Sequence, residues 1–291
     1  MVMLPMRAIF RKIPGSIEAT EHIMKMTRVD RRFAALARQG KKGFIAYLSA
    51  GDPSLADTVD IVLRLEDAGV DIVELGLPFS DPLADGRVNQ EAATRALEAG
   101  ATFAGVMNCV AEIRRRSDLP MIFYAYMNPL LSRGFEESVA AAAQAGIDGF
   151  LLLDLPFEEA GPYRKPLHDH GLNAIQLVTP TTPDERIEKI VRRSDGFIYC
   201  VSREGVTGVQ SHIAEGAEAL VRRIQDRTRL PVALGFGIGT PDQARDAARL
   251  ADAVVVGSAI VNRFHNNPHT AEGRADAARF VGEMVRAVKS V

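Results

Sequence analysis

From Val29 onward the chain alternates two hydrophobic periods: short runs rich in Val, Ile, Leu and Phe, and longer stretches whose apolar residues recur three or four positions apart. The short runs predict buried strands and the longer ones amphipathic helices. Eight strands are predicted, at Gly43–Ser49, Val70–Gly76, Met121–Tyr126, Gly149–Asp154, Ala174–Val178, Gly196–Val201, Val232–Phe236 and Ala253–Val256. Helices fill the gaps. Ser54–Ala68 gathers Val59, Val62, Leu63 and Leu65 largely on one side, Phe135–Ala145 is alanine-rich, and Asp184–Arg193 spaces Ile187, Ile190 and Val191 as a packed face does.

Four similar joints mark a reused unit: Gly69-Val-Asp71, Gly146-Ile-Asp148, Ser194-Asp195 and Ala251-Asp252 each end a helical stretch and open an apolar strand. The two glycines fit the left-handed residue that closes many helices. Strands that alternate with helices pair in parallel, because parallel neighbours need a crossover connection. Eight such units in ~250 residues match a (β/α)8 TIM barrel, whereas an open doubly wound sheet more often stops at five or six strands. No Pro- or Ser-rich linker divides the chain, so a single barrel domain is expected over residues 27–291. The helix Val29–Ala37, with Val29, Phe33 and Leu36 on one stripe, is placed to plug the barrel bottom.

Composition narrows the function. The 291 residues are 47% apolar and 25% charged, enough apolar content for a large core and against disorder. The 35 basic and 37 acidic residues nearly cancel, which argues against a binder that relies on neutralising phosphates of nucleic acid. No apolar run approaches the ~20 residues of a membrane helix. Two cysteines, Cys109 and Cys200, supply neither a disulfide scaffold nor a four-thiolate metal site and suit a reducing cytoplasm. Residues 1–26 lack the uninterrupted apolar core of a secretory signal, since Arg7, Arg11 and Lys12 break it. They read as a poorly ordered extension, or as the product of a start assigned upstream of Met24 or Met26; a cleaved transit peptide is the alternative.

In a barrel of this kind the chemistry sits at the C-terminal strand ends. Glycines cluster there on the last three strands, in Gly205-Val-Thr-Gly208, Gly235-Phe-Gly-Ile-Gly239 and Gly257-Ser258. They are either tight turns and caps or, taken together with a helix starting at Ser258, a backbone cradle for phosphate. The Gly235–Gly239 run is no dinucleotide fingerprint, because its third glycine comes one position early and far from the first strand. Glu74 interrupts the apolar second strand and faces the barrel mouth or core. It is either an acid/base whose pKa burial raises, or a core carboxylate neutralised by an arginine. Asp81 and Asp85 follow on a loop stiffened by Pro78 and Pro82.

Other chemistries lack residues. Lys41, Lys42, Lys165, Lys189 and Lys289 fall in expected turns or helices, and Lys12 and Lys25 in the extension, so no Schiff-base lysine stands at a strand end. His168 and His170 face different sides of a helix, while His22, His212, His265 and His269 lie off the strand ends, which disfavours a metal. Cys200 reads as a small buried apolar residue. What remains is a barrel that binds a phosphorylated substrate and works by proton transfer between carboxylates, with the substrate itself absorbing developing charge.

The run Glu74-Leu-Gly-Leu-Pro-Phe-Ser-Asp-Pro-Leu-Ala-Asp-Gly86 closely resembles the signature of the tryptophan synthase alpha chain family. The similarity spans roughly Phe33 to the C-terminus and includes Phe44–Pro53, Tyr199–Gly208, Gly235–Ile238 and Gly257–Val261. The resemblance implies a lyase that cleaves indole-3-glycerol phosphate to indole and glyceraldehyde 3-phosphate in tryptophan biosynthesis. It implies Glu74 as general acid/base, Asp85 as the carboxylate on the indole N–H, and Tyr199 as a group that positions them. Gly208, Phe236, Gly237, Gly257 and Ser258 match phosphate-site positions, and Tyr47, Tyr124 and Leu151 fall where the family lines its indole pocket. Arg203 and Thr207 match the loop that closes over substrate, with Thr207 associated with Asp85. A beta-chain partner carrying pyridoxal phosphate, in an alpha2beta2 heterotetramer, is implied too, with no cofactor in this chain.

Two departures stand out: Arg87-Val88-Asn89-Gln90 replaces the usual continuation after Gly86, and Ala46 stands where proline is frequent. They alter a loop through which the family communicates with its partner. Stand-alone indole-3-glycerol-phosphate lyase, a non-catalytic subunit that activates its partner, and a phosphosugar isomerase are the competing readings.

Overall fold

A computed structural model of the chain describes residues 26–201, 216–235, 237–266 and 270–291. Eight parallel strands close into a barrel in chain order: β1 (Gly43–Ser49), β2 (Ile72–Gly76), β3 (Met121–Ala125), β4 (Gly149–Leu152), β5 (Asn173–Val178), β6 (Ile198–Val201), β7 (Val232–Gly235) and β8 (Ala253–Val256). β1 pairs with both β2 and β8, which completes the ring. Every expected strand is present, trimmed by one or two residues at some ends, where the chain turns out of the ladder.

The helices are α1 (Arg28–Gln39), α2 (Leu55–Asp67), α3 (Arg87–Glu98), α4 (Phe103–Arg114), α5 (Met127–Leu131), α6 (Phe135–Ala145), α7 (Gly161–Asp169), α8 (Asp184–Val191), α9 (Ala217–Gln225), α10 (Pro241–Leu250), α11 (Ser258–Asn266) and α12 (Ala271–Lys289). Their ends follow from local chemistry. Ser54 caps α2 by accepting the Asp57 N–H, and α6 closes on Gly146, whose φ of 107° only glycine adopts without strain. The stretch Arg87-Val88-Asn89-Gln90, expected within a loop, instead forms the first turn of α3 behind Gly86.

Two apolar shells result from the strand alternation. Outward residues such as Phe44, Phe123, Phe150, Cys200 and Val254 pack under the helices. Inward residues Ile45, Ile72, Ile122, Leu151, Ile175, Ala233 and Val255 fill the barrel, where α1 adds Val29, Phe33 and Leu36. The plug expected from the sequence is therefore real, with the Phe33 ring 5.6 Å from that of Phe197. A capping box of Thr27 and Asp30 starts α1, and a polar rim locks it: Thr27 Oγ1 donates to Asn173 at 2.6 Å, and Arg28 and Arg32 reach Asp148 and Asp71.

Three of the four joints repeat one hydrogen-bonding device. The carboxylates of Asp71, Asp148 and Asp252 accept the backbone N–H of Phe44, Met121 and Val232, at 2.7, 2.9 and 3.0 Å. Each aspartate also returns its own N–H to the carbonyl of the same residue. Donors at the start of a strand, which the ladder leaves over, are thus satisfied. The fourth joint departs from the repeat, since the Asp195 carboxylate turns to Arg164 and His168 on α7.

Asp148 holds Arg28 at 3.1 Å and Arg114 at 3.3 Å while nearly excluded from water. Asp148→Ala leaves the Met121 N–H without its acceptor and removes one partner from each guanidinium, although Arg28 keeps Asp118 and Arg114 keeps the carbonyls of Ser117, Leu119 and Gly146; it is expected to cost about 2–3 kcal/mol in urea denaturation. Asp246→Ala, which removes an exposed pair with Arg249, is expected to change stability by less than about 1 kcal/mol.

Candidate active site

At the C-terminal ends of the strands the inward side chains change from aliphatic to polar. Tyr47 on β1 stands beside Glu74 on β2, and Tyr124 on β3 lies between Gly76 and Leu151. Tyr126 follows β3 and Tyr199 lies on β6, so four of the chain's five tyrosines gather at this mouth. The glycines beside them make room. A Cβ at Gly76 would lie 2.6 Å from the Tyr47 hydroxyl, and one at Gly235 2.7 Å from that of Tyr199. Burial above all, with nearby carboxylates adding to it, pushes these phenols up and keeps them protonated.

Glu74 is fully buried, and neither carboxyl oxygen has a hydrogen-bond partner among the described residues. Among the described residues no arginine reaches it. Desolvation pushes its pKa up to about 8, so the group is mostly protonated near neutral pH and titrates just above it. That is the range in which one carboxyl can both give and take a proton.

Asp85 is almost as buried, yet well partnered. Tyr124 donates to Oδ1 and Tyr126 to Oδ2, each at 2.8 Å, and Asn89 reaches Oδ1 at 3.5 Å. Burial raises its pKa while these donors pull it back down. The loop is braced as well: the Gln90 amide donates to the Asp85 carbonyl at 2.9 Å, and the Ala84 N–H donates to the Tyr126 hydroxyl at 3.0 Å. The divergent residue Asn89 and its neighbour Gln90 therefore hold Asp85 in place. Tyr126 is the site residue that the sequence reading missed; two-residue periodicity from Tyr124 already puts it on the inward face.

The glycine-rich strand ends are partly described. Gly257 accepts the Ile260 and Val261 N–H groups and starts α11, so the N–H groups of Ser258 and Ala259 have no helical acceptor and point off the helix start. Gly237 has a φ of 73°. Gly208, Phe236, Arg203 and Thr207 lie outside the described residues. Leu151, in register with Tyr124, is fully buried in the barrel interior, and the Tyr124 ring meets Tyr47 edge-on at 4.8 Å. Cys109 and Cys200 are buried thiols whose pKa burial pushes up to about 12. Among the described residues no three His, Cys, Asp or Glu side chains are gathered as a metal site.

Comparison with known proteins gives the same direction. The family model described as tryptophan synthase alpha chain matches residues 33–289. The chain is similar to the tryptophan synthase alpha chain of Caulobacter sp. (strain K31), 46% identical over 269 residues that cover 92% of this chain and 98% of the relative. It is also similar to that of Opitutus terrae, 45% identical with 91% and 100% covered. Among solved structures, tryptophan synthase subunit alpha from Legionella pneumophila superposes with a TM-score of 0.84 at 32% identity, covering 91% of this chain and all of that one. Tryptophan synthase from M. tuberculosis in an open form gives 0.81 at 29% identity, covering 91% and 99%.

The isolated carboxyl of Glu74 carries a stability signature. An unfolded glutamate titrates near 4.5 and the folded one near 8, so between these values the native state holds more protons and stability falls as pH rises. Glu74→Gln removes that slope. The variant is expected to match the wild type near pH 4.5 and to exceed it by roughly 3–5 kcal/mol at pH 8 and above, read from urea midpoints across the range.

Proposed function

The chain belongs to the tryptophan synthase alpha chain family, and we propose that Glu74 and Asp85 carry that family's carbon–carbon lyase reaction here, the cleavage of indole-3-glycerol phosphate to indole and glyceraldehyde 3-phosphate. The observation that carries this division of labour is the contrast between the two buried carboxyls, one without a partner among the described residues and one held by tyrosines. Environments that push two carboxyls apart in this way assign one to proton transfer and the other to charge stabilisation.

Protonated Glu74 delivers its proton to indole C3. The ring becomes cationic at nitrogen, and ionised Asp85 accepts the ring N–H and stabilises that charge. The bond between C3 and the first glycerol carbon then breaks, its electron pair returns to the ring, and the hydroxyl on that carbon becomes the aldehyde. Its proton goes to the Glu74 carboxylate, which restores the starting acid. The indole ring is the electron sink, so no lysine is needed.

Tyr199, within electrostatic reach of Glu74 and Asp85, positions the pair. The N–H groups at Ser258, with Gly257, Gly237, Phe236 and Gly208, hold the phosphate, and Tyr47, Tyr124 and Leu151 flank the ring. Arg203 and Thr207 close over it. We assign catalysis to the barrel of residues 27–291 and none to residues 1–26. The partner is a beta chain that carries pyridoxal phosphate, in a cytoplasmic alpha2beta2 assembly; membership of the tryptophan synthase alpha chain family supports the beta partner. No helix of the described residues is long and apolar enough to cross a membrane.

Indole release from indole-3-glycerol phosphate tests the reading, and the absence of tryptophan from the chain makes indole fluorescence a clean readout. Glu74→Gln is expected to lose at least ~10²-fold in kcat. Wild-type kcat/KM is expected to fall as pH rises through about 8, because the proton needed at C3 is then lost from Glu74. Equal activity in the two proteins removes Glu74 from the mechanism. Added beta chain is expected to copurify and raise turnover; unchanged turnover favours the stand-alone lyase.

A further inference from the structure

Two phenols hold Asp85, but they are not equivalent. The Tyr126 oxygen gives its proton to Oδ2 and accepts the Ala84 N–H, so it ties the carboxylate to the backbone of its own loop. Among the described residues the Tyr124 hydroxyl bonds only Asp85 Oδ1, and its ring is fixed from the side by Tyr47. A wall of the pocket needs only that ring, which phenylalanine would supply. The hydroxyl has a separate task.

Among the described residues, Tyr124 and Asn89 approach Oδ1 and Tyr126 approaches Oδ2. We propose that Tyr124 is a positioning residue whose hydroxyl orients the Asp85 carboxylate and favours its ionised form inside the buried site. This rests on the role given to Asp85 above.

The groups that face Asp85 are Tyr47 from β1, Glu74 from β2, Tyr124 from β3, Tyr126 after it, Asn89 from α3 and Tyr199 from β6. Burial opposes ionisation of Asp85, and the donors oppose burial. Hydrogen bonds to an ionised group are roughly twice as strong as neutral ones, so loss of one from a buried carboxylate moves its titration upward.

The experiment compares wild type, Tyr124→Phe and Asn89→Ala by two readouts. The first is the Asp85 carboxyl titration, followed by carbon-13 NMR of protein labelled at aspartate, with the resonance assigned by its loss in Asp85→Asn. The second is the pH profile of kcat/KM for indole-3-glycerol phosphate. In Tyr124→Phe the titration and the acid limb are both expected to move up by about one pH unit. The rate defect should be about tenfold on the acid side and shrink toward neutral pH, with an unchanged thermal midpoint. Asn89→Ala, which removes the longer contact, should move both less. A Tyr124→Phe titration that coincides with wild type overturns the proposal. Absence of indole release from wild type overturns the assigned function instead, and the NMR titration still decides the role of Tyr124.

Discussion

The full desolvation of Glu74 is the constraint on which the site depends. A carboxyl in the middle of a closed barrel, with no hydrogen-bond partner among the described residues, is costly to ionise. The same cost makes it an acid near neutral pH. A nearby arginine would have relieved the strain and removed the chemistry, because a paired carboxylate titrates far too low to return a proton.

The scaffold offsets that cost at the opposite end of the barrel. There α1 seals the interior with Val29, Phe33 and Leu36, and aspartates at the helix-to-strand joints satisfy strand donors and bind arginine or lysine. At the bottom the joint aspartates Asp71, Asp148 and Asp252 are paired, while Glu74 at the top has no partner among the described residues. This division, with stability at one face and chemistry at the other, is what lets one barrel tolerate a strained acid.

Asp85 illustrates the opposite solution for a neighbouring carboxyl. It is buried too, but two phenols and an amide replace its lost water, so burial and hydrogen bonding act against each other. Phenols suit this task because burial and the nearby carboxylates keep them protonated, which makes them donors throughout the neutral range. Asn89, which looks like a departure in a loop, is a donor to the Asp85 side chain, and its neighbour Gln90 braces the Asp85 backbone. A change at the start of α3 therefore touches the site directly.

Much of this was legible in the chain alone. Alternating periods gave the eight strands, the stripe on Val29, Phe33 and Leu36 gave the plug, and a lone Glu in an apolar strand marked a buried carboxyl. These signals are local: periodicity needs only neighbours three or four positions away, and the face of each strand follows from alternation. What tertiary structure alone decided is who meets Asp85. Tyr124 and Tyr126 lie 39 and 41 residues further along the chain, and only the pairing of β3 with β2 brings their hydroxyls to its carboxylate. That Glu74 has no partner among the described residues was equally beyond the sequence, since whether an arginine reaches a buried carboxyl depends on packing from every side at once.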